Sequence, residues 1–70
     1  MRSTDQLIVH LKVHRLKAGL TQMELANMVE VSRKTINTVE NGVFVPSTTL
    51  ALRLARCLGV SVEDLFTLSD

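Results

Sequence analysis

Residues 21–42 constrain the fold most, because they predict two short helices joined by a tight turn. Thr21 and Glu24 have the spacing of a capping box, in which each side chain binds the backbone N–H of the other residue. The apolar residues that then recur at helical spacing are Leu25, Ala26 and Val29. Ser32 is a candidate N-cap of the second helix, and Asn41-Gly42 is a typical helix end, because these residues tolerate a left-handed backbone. The segment therefore predicts a helix, a turn through Glu30 and Val31, and a second helix.

The second of these helices has an apolar side with Ile36 and Val39. The opposite side has side chains that donate to phosphates and to base edges. They are Arg33, Lys34, Asn37 and Thr38. A buried helix, a tight turn and a second helix with a polar face make up a helix-turn-helix.

The order of short motifs resembles the Cro/repressor-type helix-turn-helix (XRE) family of bacterial and phage transcription regulators. The matching segments run from about Leu11 to Phe66: Gly19-Leu20-Thr21-Gln22, Glu24-Leu25-Ala26, Val31-Ser32-Arg33 with Thr35-Ile36, Glu40-Asn41-Gly42, Pro46-Ser47, Ala51-Leu52 and Leu58-Gly59-Val60-Ser61. No single tetrapeptide is specific, whereas their order and spacing together are. The resemblance implies a mainly α, five-helix, lambda-repressor-like DNA-binding domain. It also implies a sequence-specific transcription regulator, most simply a repressor that binds a palindromic operator as a homodimer through the major groove.

We predict one domain over residues 1–70, with the motif at about 22–41 and residues 1–6 flexible. The first three helices are expected at about 10–18, 22–29 and 33–41. Ser47 should cap a fourth helix that Gly59 ends, and Ser61 a short fifth helix with Asp64 at its third position.

The two ends of the chain allow two structural interpretations. Some of the smallest family members, such as the cytolysin-operon repressor, pair their ends as a short antiparallel sheet. Residues 7–9 and 66–68 resemble those ends, whereas a longer first helix is the alternative.

Composition favours packed helices over a sheet-rich fold, because aliphatic residues dominate and Phe44 and Phe66 are the only aromatic residues. The net charge of +1 is a weak argument for nucleic-acid binding, and its distribution says more. Between His10 and Thr38 there are five basic residues against two acidic ones, and every charged residue from Cys57 onward is acidic. Such asymmetry can orient a small protein on DNA, although an ordinary surface can show the same counts.

No membrane span, secretory signal, metal site or cofactor is expected. The sequence has no apolar run long enough to cross a membrane, and no signal-peptide hydrophobic region follows the polar N-terminus. Cys57 has no second cysteine to pair with, which fits a cytoplasmic protein. We interpret it as an apolar filler, with a redox-sensing thiol as the alternative. His10 and His14 share a helix face but lack further zinc ligands.

The resemblance and the side-chain chemistry together give each polar residue an expected role. Base readout is expected from Arg33, Lys34, Asn37 and Thr38, and phosphate contact from Thr21, Gln22, Ser32, Thr35 and Asn41. Arg15 and Glu40 lie where family members pair an Arg of the first helix with the Glu that ends the recognition helix. A free phosphate contact is the alternative for Arg15. Glu30 stands where the family usually has Gly, at a turn that needs a positive φ.

The expected partner is double-stranded DNA, bound by a homodimer, because one recognition helix covers too few base pairs to select an operator. The predicted dimer interface is Leu65, Phe66 and Leu68, with Phe44 and Val45 either joining it or covering the core. The alternative is that these residues only close the core of the monomer, which Leu65 and Phe66 would do in part. A regulatory partner protein is one means of control, beside concentration and competition for DNA. A protein-interaction module is the second functional class. An enzyme is not expected, because no catalytic arrangement of side chains is visible.

Overall fold

The structure is a computed structural model that describes residues 6–69. Within them, five helices and two strands follow in the order β1 Leu7–Val9, α1 Leu11–Lys17, α2 Gln22–Met28, α3 Arg33–Glu40, α4 Thr48–Leu58, α5 Val62–Leu65 and β2 Phe66–Leu68. The predicted mainly α, five-helix fold is confirmed, and α1 to α3 begin and end within one residue of their expected bounds. The flexibility predicted for residues 1–6 concerns, apart from Gln6, residues outside the described range.

Four of the five helices begin at the side-chain caps that the sequence predicts. Thr21 and Ser61 form capping boxes with Glu24 and Asp64, at the starts of α2 and α5. The hydroxyls of Ser32 and Ser47 accept from the backbone N–H three residues on, at the starts of α3 and α4. Each cap satisfies a backbone donor that has no partner inside its helix, which fixes where these short helices start.

The two ends of the described chain pair as an antiparallel sheet, so the alternative of a longer first helix is wrong. The register places Leu7 opposite Leu68, Ile8 opposite Thr67 and Val9 opposite Phe66. Gln6 extends the pairing, because its carbonyl oxygen accepts from the Ser69 N–H at 2.8 Å. The sheet thereby ties the start of α1 to the end of α5.

The core lies where α1 to α4 and the terminal sheet meet. Its fully buried large side chains come from every helix: Leu11, Leu25, Ile36, Val39, Leu54 and Leu65. Ala26 is also fully buried, at the contact between α2 and α3. A larger side chain there would push the two helices apart. Helix α3 is therefore held against the core by one side, which leaves its other side free.

The turn between α2 and α3 is built as the sequence predicts. Glu30 adopts a left-handed backbone with φ 62°, and the Val31 N–H donates to the Ala26 carbonyl at 3.0 Å. At the end of α3, Asn41 keeps φ −85° and Gly42 takes the left-handed conformation with φ +73°. These two left-handed residues lie just before α3 and just after it, so they set the direction of the chain on either side of the helix.

Candidate nucleic-acid interface

The exposed side of α3 has the polar side chains that the sequence assigns to base readout. Ile36 and Val39 are fully buried and hold the opposite side of the helix. Arg33 and Lys34 are exposed in the first turn, and Asn37 is partly exposed one turn later. An α-helix with such a face fits the major groove of B-DNA, where its N-terminal residues meet base edges.

Thr38 is partly exposed, and its hydroxyl already has local partners. It lies 3.0 Å from the carbonyl oxygens of Lys34 and Thr35, to which it donates. Back-bonding of this kind is common for Thr within helices. The methyl group of Thr38 is therefore its more available part for a base contact.

Arg15 and Glu40 lie together beneath this face, at the positions where an ion pair is expected. The Arg15 Nε donates to Glu40 Oε2 at 2.6 Å and its Nη2 to Glu40 Oε1 at 3.3 Å. Its Nη1 donates to the Leu20 carbonyl oxygen at 2.8 Å. The two side chains are only 8% and 2% exposed. Such a buried and hydrogen-bonded Arg15 fixes α1 to the end of α3 and is not free to reach a phosphate.

Gln22 differs from the solvent-facing phosphate ligand that its position predicts. Its side chain is partly buried, and its Nε2 donates to Glu40 Oε1 at 2.9 Å and to Asn37 Oδ1 at 3.2 Å. Gln22 therefore connects the Arg15–Glu40 pair to Asn37, one of the residues assigned to base readout. Sequence spacing gives little warning of this contact, because Gln22 and Asn37 are 15 positions apart and meet only when α2 packs on α3.

The remaining residues assigned to phosphate contact lie around the two helix starts. The hydroxyl of Thr21 accepts from the Glu24 N–H at 3.0 Å, within the capping box. The Ser32 hydroxyl accepts from the Thr35 N–H at 3.1 Å and lies 3.0 Å from the Thr35 hydroxyl. Asn41 is exposed at the end of α3. These side chains are accessible, and their hydroxyls also stabilise the helix starts.

The capping boxes lower the pKa of two carboxyl groups. The pKa of Glu24 is lowered first by the hydrogen bond from the Thr21 backbone N–H and then by the Thr21 side chain. The pKa of Asp64 is lowered in the same way by the Ser61 backbone and side chain, with a further contribution from the nearby His14. Both carboxylates accept hydrogen bonds best when ionised, so the caps are strongest at neutral pH.

Two of the three residues predicted for a dimer interface are buried within the monomer. Leu65 is fully buried and Phe66 is 9% exposed, because both close the core over α5 and β2. In this conformation Leu65 and Phe66 offer little surface to a second chain. Leu68 is 65% exposed and does offer such a surface.

Within residues 6–69, no cluster of three or more His, Cys, Asp or Glu residues could hold a metal ion. His10 instead has its Nε2 3.2 Å from the Thr67 hydroxyl. Cys57 packs partly buried against the core, with its Sγ 3.9 Å from Met28 Sδ. In the same range, no helix is both long and apolar enough to cross a bilayer.

Comparison with known proteins identifies the family. The helix-turn-helix family matches residues 11–65, which include all five helices. This chain belongs to the helix-turn-helix family. The match confirms the resemblance inferred from the motifs, and it favours a DNA-binding regulator over an enzyme.

Curated relatives of this helix-turn-helix protein come from archaea and bacteria. An uncharacterized HTH-type transcriptional regulator of Methanothermobacter thermautotrophicus is 48% identical over 61 residues, which cover 86% of this chain and 88% of the relative. The uncharacterized HTH-type transcriptional regulator YgzD of Bacillus subtilis is 38% identical over 61 residues, covering 84% and 92%.

The fold is also similar to solved structures of a gene regulator and a transcriptional repressor. The clp gene regulator ClgR from Corynebacterium glutamicum matches with a TM-score of 0.73 at 33% identity, over 77% of this chain. The SOS-response transcriptional repressor LexA from Eubacterium rectale matches with a TM-score of 0.72 at 30% identity, over 77% of this chain. This chain spans 57% of the length of each of those two solved chains.

Proposed function

We propose that this protein regulates transcription by binding a specific operator through α3 in the major groove, and that it does so as a repressor. The observation that carries the proposal is the polar face of α3, presented on a helix that is fixed from behind by the buried Arg15–Glu40 pair. A reading helix needs such rigidity, because base contacts depend on the placement of donors to within a fraction of an ångström.

The proposed contacts fall into two groups. Arg33 and Lys34 donate to guanine O6 and N7, while Asn37 and Thr38 meet base edges one turn further along. Phosphates are contacted from both sides of the motif by Thr21, Ser32, Thr35 and Asn41. Direct base contacts give sequence selectivity, whereas the phosphate contacts set the position and orientation of α3 on the duplex.

The proposed assembly on DNA is a two-fold homodimer on a palindromic site. One α3 reads only a few base pairs, and a symmetric pair doubles that number with half-sites about 34–36 Å apart. The candidate surface for the second copy is an apolar groove of about 430 Å³ whose lining includes Leu7, Val45 and Leu52. Leu68 is opposite Leu7 in the sheet and so on the same face, and it extends the apolar surface beside this groove.

Exposure along this surface fits a contact with another chain. Val45 is 69% exposed, Leu52 is 55% exposed and Leu68 is 65% exposed. Exposed apolar side chains that cluster beside a groove are typical of interaction sites. Phe44, at 48% exposed, lies next to Val45 in the loop after α3. This position favours the dimer reading of these two residues over a role in covering the core.

The dimer is tested by sedimentation equilibrium at micromolar concentration, with and without a palindromic duplex. We expect two chains per duplex, and a weakened dimer for Leu68→Ser. Ile8→Ser is the matched control, because Ile8 is 42% exposed on the opposite face of the same sheet. One chain per duplex, or an equal effect of the two substitutions, contradicts the proposed interface.

Salt dependence separates DNA binding from the competing reading of a protein-interaction module. Binding through phosphates should weaken by about 0.9 log units per log unit of salt for each phosphate neutralised. An apolar protein interface shows no such slope. Duplex affinity that barely changes between low and physiological salt contradicts the proposed function.

A further inference from the structure

The side chain of Gln22 connects a buried ion pair to the reading face of α3. Its Nε2 lies 2.9 Å from Glu40 Oε1 and 3.2 Å from Asn37 Oδ1. The Glu40 carboxylate accepts hydrogen bonds from the Arg15 guanidinium and is 2% exposed, so its oxygens are held in place as acceptors. An ionised carboxylate only accepts hydrogen bonds.

The Oε1 atom of Glu40 accepts a hydrogen bond, and this fixes the orientation of the Gln22 side-chain amide first and of the Asn37 side-chain amide next. Gln22 must present its NH2 group, rather than its carbonyl oxygen, to the carboxylate. That NH2 group has a second hydrogen, which it donates to Asn37, so Asn37 must present its Oδ1 to Gln22. The Nδ2 of Asn37 then lies on the other side of its planar amide, and it has no hydrogen-bond partner within residues 6–69.

We infer that Gln22 is a positioning residue that makes Asn37 a hydrogen-bond donor in base readout, and this inference rests on the proposed function. An Asn that is free to turn binds adenine bidentately, accepting from N6 and donating to N7. Here Oδ1 is turned toward Gln22 on α2, so the Nδ2 on the other side of the amide addresses an acceptor on the base: N7 or O6 of guanine, N7 of adenine or O4 of thymine. Cytosine is disfavoured at this position, because it presents only its N4 donor in the major groove.

The chain of hydrogen bonds from Glu40 through Gln22 to Asn37, here called the relay, can be tested in the free protein, without DNA. NMR should show the side-chain NH2 resonances of Gln22 shifting when Asn37 is replaced by Ala. The matched reference is Asn27, an exposed amide on the same helix α2, whose side-chain resonances should stay in place. Gln22 resonances that do not respond to Asn37→Ala would overturn the relay.

The effect on readout is tested with duplexes that carry each of the four base pairs at the position read by Asn37. Wild type should discriminate against cytosine on the order of tenfold. If the contacted base is a purine read through N7, its 7-deaza analogue should lose the same factor at that position alone. Gln22→Met keeps the side-chain length without the amide, and it should abolish this discrimination. Adding Asn37→Ala to Gln22→Met should bring no further loss of the discrimination against cytosine.

Asn37→Asp gives the sharpest outcome, because an ionised carboxylate has no donor. Gln22 can still donate to this carboxylate, while its second oxygen, an acceptor, replaces the Nδ2 donor of Asn37. The preference should therefore move to a base with a donor, cytosine N4 or adenine N6. An unchanged base preference for Asn37→Asp overturns the inference, as does a Gln22→Met protein that loses affinity equally for all four base pairs. If the wild-type protein selects no DNA sequence at all, the proposed function itself fails. The NMR experiment needs no DNA, so its result tests the hydrogen bond between Gln22 and Asn37 separately from that function.

Discussion

Replacing Glu30 by Gly should stabilise the free protein, although it removes a charged side chain. Glu30 is held at φ 62°, where a residue with a Cβ is strained and Gly is not. The Glu30 carboxylate contributes little to the stability of the folded protein. The contact of Oε1 with Arg53 Nη1 is 3.9 Å long, and the two side chains are 80% and 50% exposed. Exposed pairs at that separation contribute little to stability.

The expected magnitude follows from two opposing effects. Relief of the left-handed backbone stabilises the folded state by about 1–2 kcal/mol. The greater freedom of Gly in the unfolded chain offsets about 0.4–1 kcal/mol of that gain. The net stabilisation is therefore about 0–1.6 kcal/mol, and its midpoint of about 0.8 kcal/mol corresponds to a few degrees in melting temperature for a domain of this size.

The same chain provides a calibration of the backbone effect. Gly59 has φ +69°, and a Cβ built there meets no atom within 4 Å. Gly59→Ala should therefore destabilise by an amount similar to the gain from Glu30→Gly, with no clash to confuse the comparison. Glu30→Ala keeps the Cβ and removes the carboxylate, so it isolates the contact with Arg53.

Urea denaturation of the three variants, followed by circular dichroism, gives the free energies of unfolding. The reasoning is refuted if Glu30→Gly clearly destabilises, since the carboxylate would then have a stabilising role that outweighs the strain. It is also refuted if Gly59→Ala costs nothing, because the left-handed penalty would then be absent in this fold.

Two further predictions concern the ion pair and the caps. Glu40→Ala leaves Arg15 as an uncompensated buried charge, so it should cost about 3–5 kcal/mol and lower the melting temperature by at least about 12 °C. Adding Arg15→Met should recover part of that loss, and an unchanged melting temperature for Glu40→Ala would leave Arg15 available as a phosphate ligand. Folding lowers the pKa of Glu24 and Asp64 from their ordinary values of 4.5 and 3.8, so their stabilisation is complete above those values and is lost as the pH falls through the lower folded-state values. Thermal melts of the Glu24→Gln/Asp64→Asn variant should show a weaker fall in acid than wild type, and equal falls would contradict the assignment.

Much of the fold could be predicted because its signals are local. Caps such as Thr21 and Ser61 act within three residues, and the positive φ of Glu30 follows from one turn type. The pairing of the two ends could be stated only as one of two readings. Three-residue apolar segments such as 7–9 suit either a strand or an extension of α1, and contacts between distant parts of the chain decide between them.

The candidate site was predictable in its chemistry and less so in its contacts. The helical period alone places Lys34 opposite Ile36, so the exposure of Lys34 follows from the sequence, whereas Arg33 lies in the first turn beside the apolar side. The inward turn of Gln22 does not, because it depends on the packing of α2 on α3 and on the buried carboxylate of Glu40. The burial of Leu65 and Phe66 likewise depends on how β2 closes over the core.

The central claim, that α3 reads DNA sequence, is tested most directly by selecting bound duplexes from a random pool. The wild-type protein should enrich a two-fold symmetric site with half-sites about one helical turn apart. Arg33→Ala and Lys34→Ala should each relax the preference at particular base pairs of every half-site, by about 1–3 kcal/mol for a good bidentate contact. The account is contradicted if no sequence is enriched, or if both variants lose affinity equally for all sequences and keep the wild-type preferences.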